Sequence, residues 1–158
     1  RQTLMKILKI IAAVALLALV VVALAAPIGP LPGVFIGGEH TAPPASWPDT
    51  SGVHEIRLKV PGMLPRVVTI WVIYHEGELH VVGRRDSGWV KMIGQGTPVE
   101  MRLGDRTYSL NATPLTEGWQ AILEAYVAKY KPLYPEIVAG MPPVAEAKDR
   151  VVFRLSRT

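Results

Sequence analysis

Val67-Val68-Thr69-Ile70-Trp71-Val72-Ile73-Tyr74 is an almost unbroken run of β-branched and aromatic side chains, and Glu76-Gly77 followed by Leu79-His80-Val81-Val82-Gly83 folds it back on itself. Such side chains suit the pleated surface of a strand, and a glycine in a tight turn supplies the positive φ that a short hairpin needs. The first strand is apolar on both faces and reads as buried on both. A hairpin with a doubly buried strand at mid-chain requires more strands around it.

They are found on either side. His54–Val60 alternates, with Ile56, Leu58 and Val60 on one face and Glu55, Arg57 and Lys59 on the other, which is the pattern of a half-buried strand ended by Pro61-Gly62. Val99, Met101 and Leu103 alternate with Glu100 and Arg102, Gly104-Asp105 turns the chain, and Arg106–Thr113 runs back as a second hairpin. Ser87–Gly94, between the hairpins, reads as one short helix. Thr116 then reads as the cap of a longer helix, in which Trp119, Ile122, Leu123, Tyr126, Val127 and Tyr130 form an apolar stripe that Pro132 and Pro135 end. Val151, Phe153 and Leu155 alternate in a last strand. The class is α+β, mainly β: six antiparallel strands with few helices, closing wholly or partly into a small barrel that leaves no exposed edge, with a sandwich as the alternative.

The amino-terminal part is different in kind. Seventeen consecutive residues, Ile10–Ala26, carry no charge, hydroxyl or amide, and Lys6 and Lys9 stand just before them. A bilayer core roughly 30 Å thick needs about 20 apolar residues in a helix, which Ile7 and Leu8 help to supply. The run reads as a single membrane-spanning helix over 10–28, behind a basic flank at 1–9. A cleaved export signal, with Ala23-Leu24-Ala25 as its small-x-small site, and a soluble core helix are the alternatives. Arg1, Lys6 and Lys9 precede the span and no further Lys or Arg follows until Arg57, so the basic flank places the N-terminus in the cytoplasm and exports the rest, in a bacterium to the periplasmic side of the inner membrane. Pro27–Ile36 reads as an interfacial or extended exit, the Pro/Gly/Ser/Thr-rich stretch 29–52 as a linker, and 53–158 as one small domain.

The net charge of +4 is spread among acidic residues without a Lys/Arg run, which argues against a nucleic-acid partner. The chain has no cysteine, which excludes a thiol nucleophile and a lipidated cysteine and suits an oxidising compartment. His75 and His80 flank the first hairpin turn without being directly opposed, and His40 and His54 have no companion ligands, so no metal site is expected. No Ser/His/Asp grouping stands out.

The stretch Glu78-Leu79-His80-Val81-Val82-Gly83-Arg84-Arg85-Asp86-Ser87-Gly88-Trp89, followed by Thr97-Pro98-Val99-Glu100-Met101 and Gly104–Leu115, resembles in order and spacing the deazaflavin-dependent nitroreductases, a branch of the split β-barrel flavin-binding fold. The resemblance implies a deazaflavin or FMN cofactor in a groove between barrel and helix. Its phosphate would lie near Arg66, Arg84 and Arg85, with Ser87, Trp89 and Lys91 on the following helix; Trp89 reads either as a ring-stacking residue or as core. Two or three cations near a helix N-terminus are what an anionic tail needs. The chain departs from the family at two places: Val60-Pro61-Gly62-Met63-Leu64 replaces a basic, hydroxyl-bearing phosphate loop, and Met92 replaces the helix asparagine. Two functions follow. One is a membrane-anchored reductase that passes hydride to a lipophilic, quinone-like acceptor. The other is a barrel that binds no cofactor and serves as an accessory subunit of a larger membrane complex.

Overall fold

A computed structural model of the protein describes residues 2–25, 27 and 32–158. Helix α1 (Gln2–Ala25) is exposed on every side and, at ~1.5 Å per residue, about 36 Å long, enough to cross a bilayer core; an export signal or a core helix would meet the same length and composition criterion. It begins eight residues before the apolar run expected to span, taking in the turn that carries Lys6 and Lys9. The proline-glycine exit expected after it falls largely at residues 28–31, outside the described residues.

The rest is a closed barrel. Strands β2 (Glu55–Val60), β3 (Arg66–His75), β4 (Glu78–Arg84), β5 (Thr97–Leu103), β6 (Arg106–Pro114) and β7 (Arg150–Arg157) are hydrogen-bonded in the order β6-β5-β2-β3-β4-β7. β7 returns to β6 from Leu110↔Arg157 to Pro114↔Phe153, and every pair among the six is antiparallel. That closure decides against a sandwich. The alternation read along β2 is the alternation observed: Ile56, Leu58 and Val60 point inward with Met101, Leu110, Phe153 and Leu155 to fill the barrel. Both hairpin turns lie where turn chemistry put them, with Glu76 and Gly77 in the left-handed region at φ 49° and 87° and Gly104 at 61°.

The helices pack in different places. α2 (Gly88–Ile93) follows β4 and adds Trp89, Val90 and Ile93 to the barrel core, whereas α3 (Trp119–Tyr130) covers part of the outer face, laying Ile122, Leu123, Tyr126 and Tyr130 on Ile73, Val82 and Val152 to form a second core. Tyr130 is fully buried; its hydroxyl accepts the Val72 N–H at 2.9 Å and donates to the His54 or Val72 carbonyl at 2.7 or 2.8 Å. β3 is not doubly buried throughout: Thr69, Ile70 and Trp71 are half-buried and Tyr74 is exposed. Thr116 is not the helix cap. α3 opens on Gly118 at φ 69°, with no side-chain cap. Pro135 begins the further short helix α4 (Pro135–Ala139), and a 3-10 turn at Val144–Glu146 leads to β7.

The proline-rich stretch is laid along the barrel from Gly33 onward. Gly33 exchanges two backbone hydrogen bonds with Val67 (2.9 and 2.7 Å), and β1 (Glu39–His40) runs parallel to β6 at Arg106 and Thr107. Trp47 is buried edge-on to Tyr108, with ring centroids 5.2 Å apart and the Arg157 guanidinium over its indole. Lys129 donates from Nζ to the carbonyls of Thr50, Val53 and Val72 at 3.2, 2.7 and 2.8 Å, tying the stretch to α3 and β3. Burial lowers the Lys129 pKa, against the opposing pull of Asp49.

Candidate functional site

The six residues expected around a cofactor do not converge on one cavity. The cause lies in β4, where Gly83 lacks a side chain at the spot taken by the rings of Trp89 and by Val90. Trp89 therefore turns inward and packs on Phe153 at 5.8 Å between centroids. It belongs to the core, and that position offers no stacking platform. Arg84 is exposed and paired to Asp86 at 2.8 Å. Arg66 lies across Gly88, where any Cβ would meet its guanidinium, and no carboxylate pairs with it among the described residues. Ser87 is half-buried; its carbonyl accepts the Lys91 N–H at 3.1 Å, and its hydroxyl makes no capping bond to α2.

Arg85 and Lys91 do share a cavity. It measures about 570 Å³ and lies where α2, the end of β6, the start of α3 and the start of β7 meet, with Val90, Trp119 and Phe153 among its apolar lining. Lys148 and Arg150 join Arg85 and Lys91 there, so four cations line the cavity and no carboxylate does. Thr116 and Gln95 add a hydroxyl and an amide. Arg85 is steadied by the carbonyls of Lys148 (3.3 Å) and Arg150 (3.4 Å), and its own N–H bonds to the Asp149 carbonyl at 2.8 Å. Arg150 is paired to the side chain of Asp149. Arg85, Lys91 and Lys148 have no carboxylate partner among the described residues, and three such cations attract a multiply charged anion; a volume between ~300 and ~1,000 Å³ is the usual range for a small-molecule or cofactor site. Lys148 and Arg150 escape a motif reading because they come more than 55 residues after Lys91 and join it only through barrel closure.

A second groove, of about 390 Å³, separates β3 and β4 from α3 and α4. Arg84 and Arg150 line it with Trp71 and Tyr126, so Arg150 borders both spaces. Trp71 stacks on Tyr130 at 4.2 Å and on Tyr134 at 4.9 Å. His75 and His80 stand edge-to-face with centroids 6.3 Å apart, and among the described residues no group of three or more His, Cys, Asp or Glu is placed to hold a metal.

No protein-family model matches the chain, and no curated protein matches it. Among solved structures it is similar to a NimC/NimA family protein from Clostridium acetobutylicum, with 19% identity over 64% of this chain and 72% of that one and a TM-score of 0.48. An F420 reductase shares 22% identity over 66% of this chain and 86% of that one, with a TM-score of 0.42. A heme storage protein from Vibrio cholerae shares 13% over 66% and 81%, with a TM-score of 0.46. Likenesses this distant assign neither ligand nor reaction, which rest on the chain's own residues.

Proposed function

We propose that this protein is a membrane-anchored barrel that binds a flavin-type cofactor, deazaflavin or FMN, and serves as a reductase toward a lipophilic, quinone-like acceptor. The observation that carries the reading is the cavity lined by four cations, of which Arg85, Lys91 and Lys148 have no carboxylate partner among the described residues. For a cofactor with a phosphate tail the fit is good at the charged end, where Arg85, Lys91, Lys148 and Arg150 would hold the anion and Thr116 could bond one of its oxygens. When bound, the cofactor supplies the hydride chemistry; the protein holds the tail, excludes water with Trp119 and Phe153, and needs no acid–base pair of its own. Helix α1 would keep the barrel beside an acceptor dissolved in the bilayer, with Arg1, Lys6 and Lys9 on the cytoplasmic side and the barrel exported.

The test is to purify the full chain in detergent, record its absorbance between about 350 and 450 nm, and titrate it with FMN and with deazaflavin. Binding that weakens in Lys148→Ala and Lys91→Ala supports the reading. A colourless protein that binds neither cofactor refutes it. That outcome would favour a cofactor-free accessory subunit of a larger membrane complex, the function that burial of Trp89 and neutralisation of Arg84 by Asp86 already suit. Co-purification from native membranes would then identify the complex.

A further inference from the structure

We infer that the pocket at the exit of α1, walled by Pro27, Arg57, Thr69 and Arg102, binds the phosphate of an anionic membrane lipid, so that the barrel is clasped to the bilayer where the chain leaves it. The inference rests on the anchor reading of α1 and is independent of any cofactor. The pocket measures about 540 Å³. Two residues beyond the last residue of α1, Pro27 is already buried against the barrel and forms part of the pocket wall. The uncharged run from Ile10 ends at Ala26, so the pocket lies at the depth where acyl chains give way to headgroups.

The strand register sets two cations side by side there. Arg57 of β2 stands directly opposite Arg102 of β5, and Thr69 of β3 stands opposite Arg57 on its other side. All three line the pocket. Side chains directly opposite on antiparallel strands have Cβ atoms about 5 Å apart, a spacing at which like charges destabilise the pair. Neither arginine has a carboxylate partner among the described residues. Arg102 is fixed in position by donating from Nε to the Gly104 carbonyl (3.0 Å) and from Nη1 to the Ile36 carbonyl (3.1 Å). Glu55 lines the same pocket but pairs with neither, so the lining holds two cations against one carboxylate. A phosphate between the two guanidiniums replaces their repulsion with charge-assisted hydrogen bonds, and the Thr69 hydroxyl adds a neutral donor.

Two features favour a lipid over a phosphate from solution. Pro27 is part of the wall, so the site is built at the point where the chain emerges from the bilayer. Phe35, 60% exposed, stands beside it: a Cβ placed on Gly37 would meet both the Arg102 guanidinium and the Phe35 ring. An exposed aromatic next to a cation suits a membrane surface, where the ring meets the acyl boundary and the cation meets the headgroup. Glu39 and Asp105 lie beside Arg106 beyond the pocket and are not in its lining.

The full chain, purified in mild detergent, is titrated with phosphatidylglycerol or with phosphatidylcholine, and bound lipid is counted by native mass spectrometry. Phosphatidylglycerol should bind several-fold more tightly than phosphatidylcholine. Arg57→Gln should lower that preference roughly fivefold, the worth of one basic side chain near an anionic surface. Glu55→Gln should raise it, a gain that misfolding cannot produce. Lys6 and Lys9 attract anionic lipid at the other end of α1, so the double variant Lys6→Gln with Lys9→Gln is the control and should leave the effect of Arg57→Gln intact. A preference that Arg57→Gln or Glu55→Gln leaves unchanged, or that vanishes in the lysine control alone, overturns the inference. Displacement of phosphatidylglycerol by millimolar inorganic phosphate also overturns it, because the site would then take a free anion. Loss of the protein from vesicles on alkaline washing would instead overturn the anchor reading, and the lipid site with it.

Discussion

His80 makes the barrel sensitive to mild acid. It sits on β4 opposite Ile73 and Arg154, with 4% of its surface exposed, and its Nδ1 is buried without a hydrogen-bond partner. Burial, then the neighbouring His75 and Arg154, push its pKa from 6.5 to about 4. The folded state therefore refuses a proton that the unfolded chain accepts. Stability is unaffected above the unfolded value, falls as pH drops below 6.5, and levels off near 4. Linkage between those two values gives a loss of roughly 2–3 kcal/mol between pH 7 and pH 4.5 from this side chain alone. For a chain of this size that is about 5–10 °C in Tm. Carboxylates titrate over part of the same range, so the measurement is a difference: urea or thermal unfolding of the full chain in detergent at both pH values, wild type against His80→Leu. The variant should match the wild type at pH 7 within about 1 kcal/mol, since no bond to Nδ1 is lost, and should keep most of the missing stability at pH 4.5. If both proteins lose the same amount between the two pH values, His80 is not the acid-labile group and its burial does not set its protonation.

Tyr130→Phe removes a hydroxyl that serves the Val72 N–H and the His54 carbonyl, and denaturant unfolding should show a loss of about 1–3 kcal/mol. Burial raises the Tyr130 pKa to about 12, so wild-type stability should fall as pH rises from 10 toward 12; Tyr130→Phe should show a smaller drop, the remainder coming from buried Tyr126, whose pKa is raised as well. Gly83→Ala drives a methyl into Trp89 and Val90 and should cost about 1–3 kcal/mol, with a change in tryptophan fluorescence, whereas at Gly88 the obstacle is a flexible arginine end and Gly88→Ala should cost clearly less.

What could be read in advance was local. Alternation along Ile56-Leu58-Val60 and the Glu76-Gly77 and Gly104-Asp105 turns are decided within a few residues, and they set the hairpins from which the barrel is built. The α3 stripe from Trp119 to Tyr130 was legible for the same reason. Thr116 misled because a hydroxyl before a helical pattern is a general capping signal, while Gly118 in a left-handed conformation does the local work of starting α3. Trp47 and Ile36 lie in a stretch whose composition says linker, and only contacts made with β5, β6 and the end of β7 bury them. Arg84 and Arg85 are adjacent and chemically alike, yet Arg84 ends β4 and pairs with Asp86 at the surface, while Arg85, in the turn beyond the strand, is held by the Lys148 and Arg150 carbonyls at the cavity.

That divergence yields the sharpest test of where the site lies. A family motif treats Arg84 and Arg85 as one basic position, whereas the fold sets Lys148 beside Arg85 in place of Arg84, through the β4–β7 and β6–β7 pairings; Arg150 lines the cavity too but is already paired to Asp149. A charge already neutralised by Asp86 at an exposed position adds little to anion binding, because surface pairs are worth at most about 1 kcal/mol. A cation lining the cavity can make a charge-assisted hydrogen bond to phosphate worth about 1.5–3 kcal/mol, or roughly a 10- to 150-fold change in Kd. Titration of FMN into the full chain by calorimetry should therefore show Lys148→Ala weakened at least tenfold and Arg84→Ala unchanged within about threefold. Binding in both should weaken further with added salt, and Lys148→Ala should show the shallower salt dependence. If Arg84→Ala weakens binding as much as Lys148→Ala, the anion lies in the groove between β3, β4 and α3, and the cationic cavity is a solvated cleft.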